Sequence, residues 1–180
     1  VYIHAPFHTP KEGYEHLILI EPKMSFGTGH HQTTQMMIQW TLELPTEGLR
    51  VLDMGCGTGI LGILAGMRGA SHIDGIDIDT WCVENTLENT ERNSIAMSCK
   101  QGGAEAIKDT YDLIYANINL NVLLVDMDAY VAALVEGGTI LFSGFYEENV
   151  PALRERAEAA GLTYEGIKGS DHWRSVKMRK

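Results

Sequence analysis

The chain has 180 residues, a length that suits one compact domain. Hydrophobic residues make up 44% and charged residues 21%, as in ordinary globular proteins, and no apolar run approaches the roughly 20 residues that cross a bilayer. The formal net charge of −10 disfavours direct nucleic-acid binding, which needs clustered Lys and Arg. It favours encounter with a basic partner, or serves solubility alone.

Strands and helices are predicted to alternate after residue 45. Before that point, residues 1–20 are expected to form a linker or entry segment, a single extended strand near the apolar HLILIEP, and a helix follows that runs to Leu44. The predicted strands cover residues 51–53, 72–76, 97–100, 112–116, 139–143, 162–167 and 173–178. The later predicted helices cover residues 60–68, 80–93, 122–136 and 151–160, and glycine follows three of them.

Alternating strand–helix units predict a mostly parallel sheet with helices on both faces. The last two strands are joined by the short loop GSDH, which cannot hold a parallel crossover, so they must pair as an antiparallel hairpin. We therefore expect an α/β fold with a mixed, doubly wound sheet of seven strands that ends in this hairpin.

The segment VLDMGCGTG, residues 51–59, carries the clearest signal of a binding site. Asp53 ends an apolar strand, and glycines then alternate through Gly55 and Gly57, where the backbone must turn sharply or approach a ligand closely. The next strand ends at Asp77, and an acid at roughly that spacing can bind the ribose hydroxyls of a nucleotide-like cofactor. The pattern predicts a cofactor pocket at this turn.

The glycine loop can be aligned with two known motifs, and each alignment indicates a different cofactor. Residues 57–62 spell GxGxxG, the pattern of a nicotinamide-binding dehydrogenase. The other alignment, Asp53-x-Gly55-x-Gly57, is typical of S-adenosylmethionine-dependent methyltransferases. It is favoured because the strand ends at Asp53, because an acid suits a cationic ligand but repels a pyrophosphate, and because of the terminal hairpin. The expected fold is accordingly that of a class I S-adenosylmethionine-dependent methyltransferase.

Five segments resemble the bacterial family that methylates ribosomal protein eleven of the large subunit: FGTGHHQTT, VLDMGCGTGIL, GIDID, YANI and GGTILFSG. The resemblance implies S-adenosylmethionine as cofactor and transfer of methyl groups to lysine side chains and an N-terminal amine. It assigns residues 21–180 to the methyltransferase domain. The small substrate-recognition domain that precedes it in the family is expected to be absent from this chain.

The resemblance also assigns residues to the cofactor. Phe26, Gly27, Thr28 and Thr34 are expected to line it, although Thr34 could instead cap the helix that runs to Leu44, the role favoured for Thr33.

In the glycine loop, Asp53 is expected to order the loop and bind the amino-acid end of the cofactor. Gly55 and Gly57 would pass beneath the cofactor, Asp77 would hold the ribose, and Ile78 would pack against adenine.

Asn117 is the expected catalytic residue and a further cofactor contact, because it ends the strand YDLIYAN where a doubly wound sheet presents its ligands. An ordinary strand-end turn residue is the alternative. Release-factor glutamine methyltransferases carry Asn-Pro-Pro-Tyr here, and the absence of both prolines and the aromatic residue disfavours an amide substrate.

Four other residues near these motifs could contact a ligand, but a structural role is expected for each or remains open. Asp79 is expected to cap the helix from Thr80 onward, and Trp81 to pack against the sheet rather than beside adenine. His30 and His31 are expected to be structural or to line the substrate, since adjacent helical positions face different ways. No metal site is expected.

The three cysteines are widely spaced and fit neither a disulfide framework nor a CxxC metal pattern. We therefore expect the protein to be located in the reducing cytoplasm. A nicotinamide-dependent dehydrogenase, a non-catalytic cofactor-binding module and a small-molecule methyltransferase remain the alternative functions. Neither a membrane nor a nucleic acid is an expected partner, and the oligomeric state is open.

Overall fold

A computed structural model describes residues 1–9, 11–21, 23 and 25–180. The helices are α1 (Gln32–Glu43), α2 (Ile60–Met67), α3 (Thr80–Arg92), α4 (Leu120–Ala133) and α5 (Val150–Ala159). The strands are β1 (Tyr2–His4), β2 (Leu17–Leu19), β3 (Arg50–Met54), β4 (His72–Asp77), β5 (Ser98–Gln101), β6 (Tyr111–Asn117), β7 (Leu134–Tyr146), β8 (Thr163–Ser170) and β9 (Trp173–Arg179).

The main sheet has the strand order β5-β4-β3-β6-β7-β9-β8 across the described residues. Strands β3 to β7 pair in parallel, whereas β9 runs antiparallel to both β7 and β8. This arrangement confirms the predicted mixed sheet with its terminal hairpin. The chain leaves β3 toward β4 and β5 and later returns on the other side through β6. The carboxyl ends of β3 and β6 therefore flank the topological switch point, where such sheets bind ligands.

The sheet is covered on both faces by apolar side chains. Val51 packs into one buried cluster with α1 and α2, while its neighbour Leu52 packs into the other with α4 and α5. Successive strand residues point to opposite faces, so a strand covered on both sides reads as a continuous apolar run. None of the helices described is long and apolar enough to cross a membrane.

The boundary between α4 and β7 differs from the sequence expectation. The helix was expected to reach Glu136 and to stop at the two following glycines, but α4 ends at Ala133 and β7 begins at Leu134. Leu134 is extended, with φ −89° and ψ 130°, and pairs with Tyr111 of β6. Pairing with β6 thus overrides helix propensity, and the glycines lie inside the irregular start of the strand.

The first 20 residues contain two short strands instead of one extended piece. Tyr2–His4 and Leu17–Leu19 form a separate parallel pair. Ile18 and Ile20 are fully buried against the α1–α2 side of the sheet. The segment therefore packs against the core near the loop at residues 26–30, since Ile3 lies directly over Gly29.

Candidate active site

The glycine loop after β3 is shaped by its packing against two neighbouring segments. Gly55 and Gly57 have φ of +72° and +57°, in the left-handed region that favours glycine. A Cβ on Gly55 would lie 2.4 Å from Ile118 Cγ2, and one on Gly57 would lie 2.3 Å from the carbonyl oxygen of Phe26. Glycine is therefore required at both positions because the loop passes close to the Ile118 side chain and to the Phe26 backbone.

The loop is also held by hydrogen bonds along its whole length. The backbone N–H groups of residues 55–59 all donate within the protein, over 2.7 to 3.1 Å. Their acceptors, in order, are Ile76 O for the first two, Asp77 Oδ2, Phe26 O and Cys56 O. The loop therefore has one conformation set by bonds from β4 and from the segment at Phe26.

A cavity of about 420 Å³ opens beside this loop; we call it the glycine-loop cavity. Six of the ten predicted cofactor residues line it, namely Phe26, Gly55, Gly57, Asp77, Ile78 and Asn117. Ile78 is 69% and Phe26 52% exposed, so both present apolar surface to the opening. A cavity of this size with apolar walls and a few polar groups is typical of a small-molecule site.

The other four predicted residues lie outside the cavity wall. Gly27 faces the loop, and its carbonyl accepts a hydrogen bond from Thr58 Oγ1 over 2.6 Å. Thr28 lines a different cavity, with His4, His8 and His30 among its neighbours.

Thr34 is buried in the first turn of α1, and its Oγ1 has no hydrogen-bond partner among the residues described. Asp53 is likewise buried, behind the loop. Burial raises the pKa of the Asp53 carboxyl to about 7. The N–H of Gly62, which donates to Asp53 Oδ2 over 3.0 Å, opposes this rise, and the charge of Asp77 adds to it. Asp53 thus joins the end of β3 to the first turn of α2.

Of the two expectations about the start of α3, the one for Trp81 was wrong. Asp79 is the N-cap residue of α3, as expected, although its side chain makes no capping hydrogen bond in the described structure. Trp81 is 51% exposed and lines the glycine-loop cavity instead of packing against the sheet. Asp79, Trp81 and the buried Cys82 all line this cavity, so the first turn of α3 forms part of its wall.

Sequence reasoning missed several further lining residues, among them Val122, Asp126 and Cys82. Val122 and Asp126 lie four residues apart on α4, the spacing that places side chains on one helix face. Cys82 lies close to Asp77 and Asp79, with the potential ligand atoms of all three within 4.8 Å. Burial is the largest cause that raises the pKa of the Cys82 thiol, which favours its neutral form.

A second, smaller cavity of about 200 Å³ adjoins the first; we call it the aromatic cavity. Phe26, His31 and Trp173 line it, with ring centroids 5.0 Å apart for the first pair and 4.8 Å for the second. Tyr146 continues the row outward, 4.3 Å from Trp173. The four rings form a continuous aromatic wall from the cavity to the surface.

Asn117 lies between the two cavities and lines both. Its Oδ1 is buried and has no hydrogen-bond partner among the described residues. A buried acceptor without a partner is costly, so such an atom marks a place for a donor from a ligand or water. The site therefore offers one unsatisfied acceptor where the two cavities meet.

The expectation that Thr33 caps α1 was wrong. The N-cap is His31, whose Nδ1 accepts from the backbone N–H of Thr33 over 3.3 Å and lies 2.9 Å from Thr33 Oγ1. With Nδ1 accepting, the neutral ring carries its proton on Nε2. His31 therefore fixes the helix start and forms one wall of the aromatic cavity.

The family model described as PrmA, ribosomal protein L11 methyltransferase, matches residues 1–180. The ribosomal protein L11 methyltransferase of Porphyromonas gingivalis is 48% identical over 179 residues, which are 98% of this chain and 62% of that protein. That of Bacteroides fragilis is 47% identical, over 98% of this chain and 64% of its own length. The chain thus spans less than two thirds of the length of these curated relatives.

Solved structures give the same picture of the fold. The ribosomal protein L11 methylase of Lactobacillus delbrueckii subsp. bulgaricus superposes with a TM-score of 0.88 at 26% identity, covering 97% of this chain and 91% of that one. The magnesium protoporphyrin IX methyltransferase of Synechocystis, solved with bound SAM, has a TM-score of 0.72 at 16% identity and covers 89% and 86%. The second likeness concerns the fold alone, which is that of the class I methyltransferases.

Proposed function

The chain belongs to the ribosomal protein L11 methyltransferase family, and from that membership we propose that it transfers methyl groups from S-adenosylmethionine to amines of ribosomal protein L11. The acceptors would be lysine side chains and the N-terminal amine. The reaction would take place in the cytoplasm, where a ribosomal protein is available. The observation that carries the proposal is the position of Asn117, whose unsatisfied Oδ1 lies where a cofactor-sized cavity meets an aromatic one.

The glycine-loop cavity suits a cationic nucleoside better than a dinucleotide. Asp77, Asp79 and Asp126 line it, and its described lining residues include no Lys or Arg. All five N–H groups of residues 55–59 already donate within the protein, so they are not free to bind a phosphate as in other nucleotide sites. These two features favour a ligand with sulfonium and ammonium groups over a nicotinamide dinucleotide.

The residues of this cavity fit the parts of the cofactor. The two oxygens of Asp77 each accept one backbone hydrogen bond, from Gly57 and Asp79, and keep further acceptor capacity for ribose hydroxyls. Ile78 and Trp81 present exposed apolar surface that adenine would cover. When bound, S-adenosylmethionine supplies an electrophilic methyl group on a cationic sulfur.

The aromatic cavity would receive the acceptor amine. A free lysine has a pKa near 10.4, so almost none of it is nucleophilic at neutral pH. Desolvation between the rings of Phe26, His31 and Trp173, beside a cationic sulfonium, would disfavour the ammonium form and lower that pKa. The proton would leave to solvent before transfer.

Asn117 would orient the neutral amine. Its Oδ1 would accept one amine N–H and so direct the nitrogen lone pair toward the glycine-loop cavity. In-line displacement there would form the nitrogen–carbon bond as the sulfur–methyl bond breaks, with S-adenosylhomocysteine as the leaving group. Most of the rate would then come from positioning, since oriented reactants gain several orders of magnitude in effective concentration.

The test is incubation of the chain with S-adenosylmethionine and unmethylated large-subunit ribosomal proteins, followed by intact mass measurement. We expect methyl-sized mass increments on L11 alone, and far smaller increments in the same time with Asn117→Ala. The assay is repeated with the family's recognition domain supplied as a separate chain. If no ribosomal protein gains mass in either case while calorimetry in the same sample detects cofactor binding, the proposed substrate is wrong.

A further inference from the structure

Arg174 is tied to three groups around the tip of the β8–β9 hairpin, next to the aromatic cavity. Its Nη1 donates to the carbonyl oxygens of Asp171, over 2.9 Å, and Trp173, over 2.8 Å. Its Nη2 lies 2.7 Å from Glu147 Oε2, just after β7. One guanidinium therefore joins the turn of the hairpin to the end of the neighbouring strand.

The turn is held from a second side as well. Asp171 has φ +50°, a left-handed conformation that costs a non-glycine residue energy and needs support. Its Oδ2 accepts from Gln32 Nε2 over 2.9 Å, which links the turn to the start of α1. His31, next to Gln32, contacts the Trp173 ring. The position of Trp173 over the aromatic cavity thus depends on the conformation of this turn.

We propose that Arg174 is a positioning residue for the methyl acceptor. By fixing the turn at residues 170–173, it holds the Trp173 indole between His31 and Tyr146 and so sets the width of the aromatic cavity where the substrate amine enters. This inference rests on the proposed function for the identity of the acceptor. It separates acceptor binding from cofactor binding, because the side-chain hydrogen bonds and the ion pair described for Arg174 reach Asp171, Trp173 and Glu147 and none of the expected cofactor residues.

The ion pair of Arg174 and its hydrogen bonds to carbonyl groups differ in how strongly they hold the turn. Glu147 is 71% exposed, and ion pairs with a solvent-exposed partner contribute little. The Arg174 side chain is only 16% exposed, and its two bonds to carbonyl groups hold the backbone of the turn directly. Loss of Arg174 should therefore matter much more than loss of Glu147.

Gly169 provides a way to move the guanidinium without changing any charge. A Cβ at this position would lie 2.9 Å from Arg174 Nη1 and 3.1 Å from its Cζ. Gly169→Ala should therefore push the flexible end of Arg174 out of its place while every hydrogen-bonding group stays present. Its effect should resemble that of Arg174→Gln if the position of the guanidinium is what matters.

The kinetic experiment compares Arg174→Gln, Gly169→Ala and Glu147→Gln with Arg154→Gln as control. Arg154 also pairs with a glutamate and stacks on a tyrosine ring, but on α5. For Arg174→Gln and Gly169→Ala we expect the KM for unmethylated L11 to rise about tenfold or more, while the Kd for S-adenosylmethionine stays within about twofold. Glu147→Gln should change the KM by less than about threefold. Equal losses in KM and cofactor Kd would overturn the proposal.

A second measurement tests the positioning without any substrate. The chain has three tryptophans, so incorporation of 5-fluorotryptophan gives a ¹⁹F NMR spectrum in which each can be assigned by substitution. Arg174→Gln and Gly169→Ala should broaden or shift the Trp173 signal and leave those of Trp40 and Trp81 unchanged. An unchanged Trp173 signal would refute the positioning role. If the wild-type chain methylates no ribosomal protein even with the recognition domain supplied as a separate chain, the proposed function fails, whereas this spectrum still decides the role of Arg174.

Discussion

The backbone N–H of Gly57 donates to Asp77 Oδ2 over 2.9 Å, which joins the end of β4 to the loop that follows β3. The same carboxylate also accepts from the N–H of Asp79 through Oδ1. Asp77 is therefore the residue that holds the glycine loop beside α3, in addition to its proposed contact with the cofactor. Its two roles should be separable only by comparing binding with stability.

Asp77→Ala should weaken S-adenosylmethionine binding by about tenfold to a hundredfold, because hydrogen bonds to a charged acceptor contribute roughly 1.5–3 kcal/mol. It should also lower the melting temperature, since the Gly57 N–H loses its acceptor. Asp79→Ala is the matched control, because it removes the same charge from the same cavity but no capping bond. Titration calorimetry measures the affinity of both variants for S-adenosylmethionine, and thermal unfolding measures their melting temperatures. Unchanged affinity in Asp77→Ala would remove this residue from the cofactor site.

Asn117→Ala should reduce kcat for methyl transfer by about a hundredfold or more, roughly 2.7 kcal/mol, while cofactor affinity changes little. Asn119→Ala is the control, since Asn119 lines both cavities but caps α4 through Val122. That variant should lose about 1 kcal/mol of stability and keep most activity. Single-turnover kinetics and thermal unfolding separate the two effects. Equal losses of kcat and cofactor affinity in Asn117→Ala would contradict the assigned role.

Asp53→Asn should stabilise the ligand-free protein increasingly as the pH rises. The carboxyl has a pKa of about 7 in the folded protein and about 3.9 when unfolded. The folded state therefore binds the proton more tightly, and its stability falls as the pH rises through that interval, by on the order of 4 kcal/mol in all. Asparagine can still accept from Gly62 and has no proton to lose.

Melting temperatures of wild type and Asp53→Asn between pH 5 and about pH 8 check this expectation. Asp112→Asn serves as control, since Asp112 also accepts from a backbone N–H, that of Arg50, but near the surface. The advantage of Asp53→Asn should be smallest at pH 5 and greatest above about pH 7. An advantage that does not depend on pH would show that Asp53 is ionised normally in the fold.

Gly57→Ala should destabilise the protein far more than Gly137→Ala. Both glycines have positive φ, +57° and +75°, so both substitutions incur the left-handed cost of roughly 1–2 kcal/mol. Only at Gly57 does the new Cβ meet backbone, the Phe26 carbonyl oxygen, whereas nothing lies within 4 Å of it at Gly137. Urea denaturation should show at least about 2 kcal/mol between the two variants. Similar losses would mean that the loop can move away from Phe26.

Much of the fold follows from local patterns. The alternation of apolar strands and amphipathic helices, together with the short GSDH connection, predicted the mixed sheet and its terminal hairpin. The end of α4 was misplaced because two glycines read locally as a helix stop. Their actual place in β7 depends on the pairing of Leu134 with Tyr111, which no local pattern reveals.

The site was predictable only where one segment carries the signal. The glycine loop, Asp77 and Ile78 form two short motifs, and the structure places them together in one cavity. The aromatic cavity combines His31 with Trp173, from opposite ends of the chain, and depends on the register of β9 against β7. Trp81 was misread because a large apolar residue beside a strand usually packs inward, whereas here α3 turns it toward the opening.

The bonded N–H groups of residues 55–59 have a consequence for the energetics of binding. A loop that already has a single conformation loses little conformational entropy when a ligand arrives, so more of the contact energy is available as affinity. These amides should exchange slowly with deuterated solvent before any cofactor is added, and the cofactor should slow them little further. The binding surface of this chain is preformed, and recognition at the glycine loop should resemble docking to a rigid template.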